Sequence, residues 1–194
     1  MSPELEMTES PQQNNDHLPW CAIRLFSLQW NAINEYLMGN GMETFVPMTY
    51  VDYEDENGHI KRKLKPVVSN LVFVRKTVDL TLLSDLVYRS PYKMALVKRS
   101  RKDTRIAEIP AGQMEEFKLM CNPEVEMRKF ISEEEARLKA GDPVEVVFGP
   151  FKGLSGRLVR QNHKYYLLKE VPGMGVMLKV SRWCCKPVGK KREK

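Results

Sequence analysis

The stretch Lys61-Arg62-Lys63-Leu64-Lys65-Pro66-Val67-Val68-Ser69-Asn70-Leu71-Val72-Phe73-Val74-Arg75 joins a cationic arm to the most apolar, β-branched run of the chain. Val, Leu and Phe without helical period, bounded by proline and a charge, predict a strand at the centre of a sheet. Side chains alternate along a strand, so Val72 and Val74 share one face while Leu71, Phe73 and Arg75 share the other. The first face suits a core. The second is apolar but ends in a charge, and is expected to lie open for another molecule.

The same asymmetry recurs upstream. In Trp20-Cys21-Ala22-Ile23-Arg24-Leu25-Phe26, the apolar face is Cys21, Ile23 and Leu25, and the mixed face carries Trp20, Ala22, Arg24 and Phe26. If the two strands pair, Arg24 and Arg75 belong to one open sheet surface. A helix is expected between Gln29 and Asn40, with Ser27 as cap and Gly39-Asn40-Gly41 as its stop. Glu43-Thr44-Phe45-Val46-Pro47 reads as an edge strand. Residues 48–65 read as a β-hairpin arm around Asn57-Gly58, acidic on the way out and basic on return, with cross-strand charge pairing favoured over phosphate binding.

Beyond Arg75, a second helix is expected to open at Asp79 or Thr81 and to end at Ser90-Pro91. Met94-Ala95-Leu96-Val97 is a short strand, residues 98–103 form a basic loop, and Ile109-Pro110-Ala111-Gly112 introduces a third helix. This order predicts an α+β sandwich with its helices on one face of an antiparallel sheet. Residues 122–139, rich in alternating charge, read as a linker, and 140–188 as a small β-barrel of five short strands. The polar stretches 1–19 and 189–194 read as a disordered tail and a basic tail.

Composition narrows the function without naming it. A formal charge of +6 favours acidic partners, nucleic acid first. No apolar run is long enough for a membrane span, and the polar start is not a signal peptide. Cys21, Cys121, Cys184 and Cys185 form no metal-type spacing with one another or with the three scattered histidines, which points to reduced, buried thiols in a cytoplasmic protein. Ser, His and Asp fall in no catalytic pattern and no phosphate loop is present, so neither an enzyme, a metal nor a cofactor is expected.

From Gly141 the chain reads Gly-Asp-Pro-Val-Glu-Val-Val-Phe-Gly-Pro-Phe-Lys-Gly-Leu-Ser-Gly-Arg-Leu-Val-Arg, which resembles the KOW motif. With Trp20 and its strand, Phe45-Val46-Pro47, and Pro66 leading into 71–75, residues 20–188 resemble the NusG family of transcription elongation factors. That resemblance implies an NGN-type α/β domain at 20–121, the linker, and an SH3-like KOW barrel. Val68-Ser69-Asn70-Leu71 stands where the general factor has Phe-Pro-Gly-Tyr, and Ser90-Pro91-Tyr92 lacks the usual glycine. These departures are more similar to specialised paralogs of the RfaH and UpxY type, antiterminators of particular operons such as those for polysaccharide synthesis.

The resemblance implies that the open NGN face docks on RNA polymerase and suppresses pausing and termination. Strand parity places Ala22, Arg24, Leu71 and Phe73 on that face, with Val68 at its edge. The positions matching the family's contacts to the non-template DNA strand are Tyr36, Asn40, Tyr88 and Arg89; aromatics stack on unpaired bases and arginine meets phosphate. Phe151 and Leu154, apolar tips of a glycine-rich turn, are the candidates for a ribosomal protein or termination factor. The protein is expected to be a monomer, without a membrane partner. The principal rival is a KOW-containing RNA- or ribosome-binding protein.

Overall fold

A computed structural model gives the fold of residues 15–188 as an α+β protein with four helices and three antiparallel sheets. The expectations for 1–14 and 189–194 fall outside the described residues.

The first sheet is built on β1 (Trp20–Leu25) and β5 (Leu71–Arg75), which pair antiparallel with Ala22 opposite Phe73 and Arg24 opposite Leu71. Short strand β2 (Thr44–Phe45) flanks β5; β6 (Met94–Leu96) and β7 (Glu108–Ile109) both pair with β1. Beneath Cys21, Ile23, Val72 and Val74 lie α1 (Trp30–Gly39) and α2 (Leu80–Tyr88), inserting Ile33, Leu37, Leu83 and Val87. Apolar residues spaced three or four apart present one helical stripe to the sheet. Helix α1 starts after Gln29 rather than being capped by Ser27.

Helix α3 (Ala111–Cys121) does not join the other two. It packs on the opposite face, where Phe117 meets Phe73 edge-on at 5.5 Å between ring centroids and Phe45 at 6.5 Å. Both sheet faces are therefore covered, and every residue of β5 is buried. The expected helices on one face become helices on two.

The hairpin arm forms its own two-stranded sheet from β3 (Met48–Glu54) and β4 (Ile60–Pro66). Its tip is closed by Asp55 Oδ1, which accepts from the N–H groups of Asn57 and His59, with Gly58 in the left-handed region at φ 78°.

The expected linker is structured. Within it, β8 (Arg128–Ser132) adds an edge to the third sheet by pairing with residues 174–178, and α4 (Glu133–Leu138) is capped by Ser132 Oγ accepting from Glu135 N–H. The third sheet runs β13 (Cys185–Pro187), β9 (Asp142–Val146), β10 (Ser155–Gln161), β11 (Lys164–Val171), β12 (Met174–Val180), β8. Its two edge strands, β13 and β8, do not pair among the described residues, so the expected closed barrel is replaced by an open six-stranded sheet. The extra strand comes from the segment read as linker.

Residues 15–19, expected to be disordered, also make contacts: Arg75 Nη1 donates to Asn15 O at 2.7 Å and Lys76 N–H to Pro19 O at 2.8 Å. The reason is Arg75, whose buried guanidinium needs acceptors.

Strand β10 passes so close to β11 that a Cβ on Gly156 would lie 2.6 Å from Leu168 O. Gly156→Ala is expected to cost about 1–3 kcal/mol through this overlap with backbone, read as a lowered urea midpoint with unchanged m-value.

Candidate interaction surfaces

The face carrying Trp20, Ala22, Leu71 and Phe73 is not open. These four residues belong to one core cluster with Ile109, Met114, Phe117 and Met120 from the α3 side and with Val144, Val176 and Leu178 from the third sheet. Phe73 is wholly buried, and the cover over it is α3. Leu71 is covered instead by the third sheet: a Cβ on Gly173, in the turn between β11 and β12, would lie 2.8 Å from Leu71 Cδ1. Gly173 has φ 99°, so glycine satisfies both the turn and the close approach.

Arg75 is not an exposed tip either. Its Nε lies 2.6 Å from Glu43 Oε2 and its guanidinium stacks 4.9 Å from the Trp20 ring, beside Lys118 Nζ at 4.0 Å from the same ring. The arginine that the alternation placed on an open surface instead closes the end of a core. Arg24 remains exposed, as the alternation placed it.

Arg24 stands between two clefts. One, of 430 Å³, lies between the first and third sheets and is lined by Arg24, Val68, Asn70, Leu71, Phe130 and Glu134. The other, of 590 Å³, runs past Phe26, Lys98, Arg99, Arg101 and Arg137. Arg24, Val68 and Leu71 are thus brought to one cleft, whereas Ala22 and Phe73 are not.

A polar cluster that the sequence did not reveal holds the third sheet to α3. Glu116 accepts from Lys169 Nζ at 2.6 Å and from Ser155 N–H at 2.9 Å and Oγ at 2.9 Å. Gln113 Nε2 donates to Glu170 O at 2.9 Å one turn away. Nearby, Arg157 pairs with Glu170 and donates to Ala136 O and Lys139 O, and Glu133 accepts from Gly173 N–H at 2.8 Å. Burial opposes the charge on Glu116, but the Lys169 and Ser155 donors outweigh it and hold the carboxyl below its ordinary value. Glu116, Ser155 and Lys169 are too widely spaced in sequence for any motif to join them.

The four positions proposed for single-stranded DNA lie toward the C-terminal ends of α1 and α2. Tyr36 OH donates to Leu86 O at 3.3 Å and its ring meets Tyr92 edge-on at 6.0 Å, so Tyr36 is half-buried and mainly ties the two helices together. Asn40 is the residue after α1 and its Nδ2 donates to Tyr36 O at 2.8 Å. Tyr88 is 89% exposed, and Arg89 beside it is exposed.

At the third sheet, Leu154 is buried in the core cluster and Phe151 packs against it, so neither is the free apolar tip expected. Phe148, two residues beyond the end of β9 at Val146, is 74% exposed. Trp183 is 93% exposed, and Arg160 and Arg182 flank the Tyr165 ring at 5.8 and 5.9 Å.

Cys21 and Cys121 are buried; burial, helped by Glu108, pushes the Cys21 thiol up to about 11, and burial likewise raises Cys121. They behave as small apolar side chains. Among the described residues no helix is long and apolar enough to cross a membrane.

Neither a family model nor any curated protein matches the chain.

Glu116→Gln is expected to lower stability at pH 7 by about 1–3 kcal/mol, the cost of weakening hydrogen bonds to a charged group. A depressed carboxyl stabilises above its unfolded value and loses that contribution as pH falls through its folded one. The gap between wild type and Glu116→Gln in urea unfolding should therefore close below about pH 4.

Proposed function

We propose that this chain is a NusG-type transcription elongation and antitermination factor, with residues 20–121 as the polymerase-binding NGN domain and 140–188 as the KOW domain. The observation that carries the reading is the physical role of the motif's glycines. In the run that resembles KOW, Gly149 and Gly153 have φ 89° and 94°, so the turn between β9 and β10 requires glycine at both. Gly156 is required for a different reason, the close passage of Leu168 O. A pattern whose spaced glycines each answer a separate backbone demand is difficult to arrive at by composition alone.

On this reading the part of the first sheet that meets polymerase is the part covered by the third sheet. Arg24, Val68 and Leu71 line the cleft between the sheets, and release of the third sheet would widen it and free Leu71. Phe73 and Trp20 sit under α3, Ala22 is buried in the same cluster, and all three serve the fold. Replacing Phe73 with Asp would therefore unfold the core rather than probe binding. The state described is a closed one, held by the Glu116–Lys169 pair and the apolar cluster beneath it.

The run Val68-Ser69-Asn70 at the cleft supports a factor serving particular operons, polysaccharide synthesis among them, rather than all transcription. Tyr88 and Arg89 remain available to an unpaired DNA strand. A protein partner of the third sheet, a ribosomal protein or termination factor, would meet Phe148 and Trp183, two of the large apolar side chains left in solvent there.

Retention on immobilised RNA polymerase core tests the reading. Wild type is expected to be retained weakly, and Lys169→Glu, which sets two carboxylates against each other across the closed contact, several-fold more strongly. Thermal melts of the variant show whether each sheet is still folded. Failure of both proteins to bind overturns the assignment; equal strong binding overturns the closed state.

A further inference from the structure

The register of the hairpin arm sorts its charges by face in a way that neither limb does alone. Directly opposed residues in an antiparallel pair lie on the same side. Tyr50 faces Leu64, Asp52 faces Arg62 and Glu54 faces Ile60, so one side of the ribbon mixes both signs. There Arg62 Nε lies 3.1 Å from Asp52 Oδ1 and Tyr50 OH donates to Glu124 Oε1 at 2.8 Å. Thr49 faces Lys65, Val51 faces Lys63 and Tyr53 faces Lys61, which puts three lysines on the other side and no carboxylate among the paired residues.

Cross-strand neutralisation accounts for the first face and fails for the second. Lys61 reaches round the tip to Asp55 Oδ2 at 2.7 Å, and Lys63 Nζ lies 4.2 Å from the centre of the Tyr53 ring. Lys63 and Lys65 form no ion pair among the described residues, and all three lysines are exposed. Three lysines at alternate positions of one strand give that side of the ribbon a single sign of charge, which attracts a polyanion.

We propose that the Lys61, Lys63 and Lys65 face of the arm binds the phosphate backbone of double-stranded DNA. A rise of about 3.4 Å per residue spaces alternate lysines ~7 Å apart and the three ammonium groups over ~14 Å. That span is close to the roughly 12 Å width of the major groove, which admits a two-stranded β-ribbon. Single strands are gripped by free aromatic platforms. This face has one ring, Tyr53, and Lys63 already lies over it. The contact is therefore electrostatic and independent of base sequence, and does not require that the protein bind polymerase.

The test is titration of the full-length protein with a mixed-sequence DNA duplex and with a single strand of equal length over a range of salt. Lys63→Ala/Lys65→Ala is expected to weaken duplex binding and to flatten the slope of log K against log salt by about 1.8, at ~0.9 for each phosphate no longer neutralised. Arg62→Ala, on the opposite face, should leave that slope within error of wild type. An unchanged slope in the double lysine variant, or a larger loss on the single strand than on the duplex, overturns the proposal. Both variants are at exposed positions, and circular dichroism melts matching wild type exclude unfolding as the cause.

Discussion

Strand β5 has no exposed residue, so both sides of the first sheet need an apolar cover. Helices α1 and α2 supply one, and they are local, built from segments that follow β1 and β5 in sequence. The other cover is divided. Helix α3 lies over Phe73, and the third sheet lies over Leu71. One continuous core cluster thus spans two sheets whose strands do not pair with each other among the described residues. At roughly 25 cal/mol per Å² of apolar surface, separating them carries a cost in re-exposed area.

Polar groups decide how the second cover is seated. Apolar contact is non-directional, and on its own would let the third sheet slide over α3. The Glu116 carboxylate, gripped by Lys169 and Ser155, fixes the register of sheet on helix, and Gln113 adds a backbone contact one turn away. Because Glu116 is only partly withdrawn from water, its pairing is a modest contribution rather than a lock. The contact is apolar beneath and ionic at the rim.

Much of the fold was legible in the residues because it is local. The alternation in 20–26 and 71–75 correctly divided Val72 and Val74 from Leu71 and Phe73, and the turn at Asn57-Gly58, the helix stops and the glycine-rich run at 149–156 each follow from steric demands within a few residues. What misled was inference from composition. The charged segment 122–139 has few apolar residues, yet Phe130 and Ile131 suffice to build an edge strand, since an edge needs only one partner. Leu154, expected at a free apolar tip, lies instead in the core cluster, because a glycine-rich turn looks the same in sequence whether it faces solvent or folds back on its own sheet.

The sequence by itself determined which residues share a strand face, where the chain must turn, and that one side of the first sheet is apolar with a cationic neighbour. It could not determine whether that side meets solvent. An apolar face looks the same in sequence whether a partner or a distant part of the same chain covers it, because burial depends only on area removed from water. Only the tertiary structure brought Gly173 against Leu71 and Glu116 against Lys169, residues 102 and 53 positions apart, and only the pairing register turned a basic limb into a lysine face.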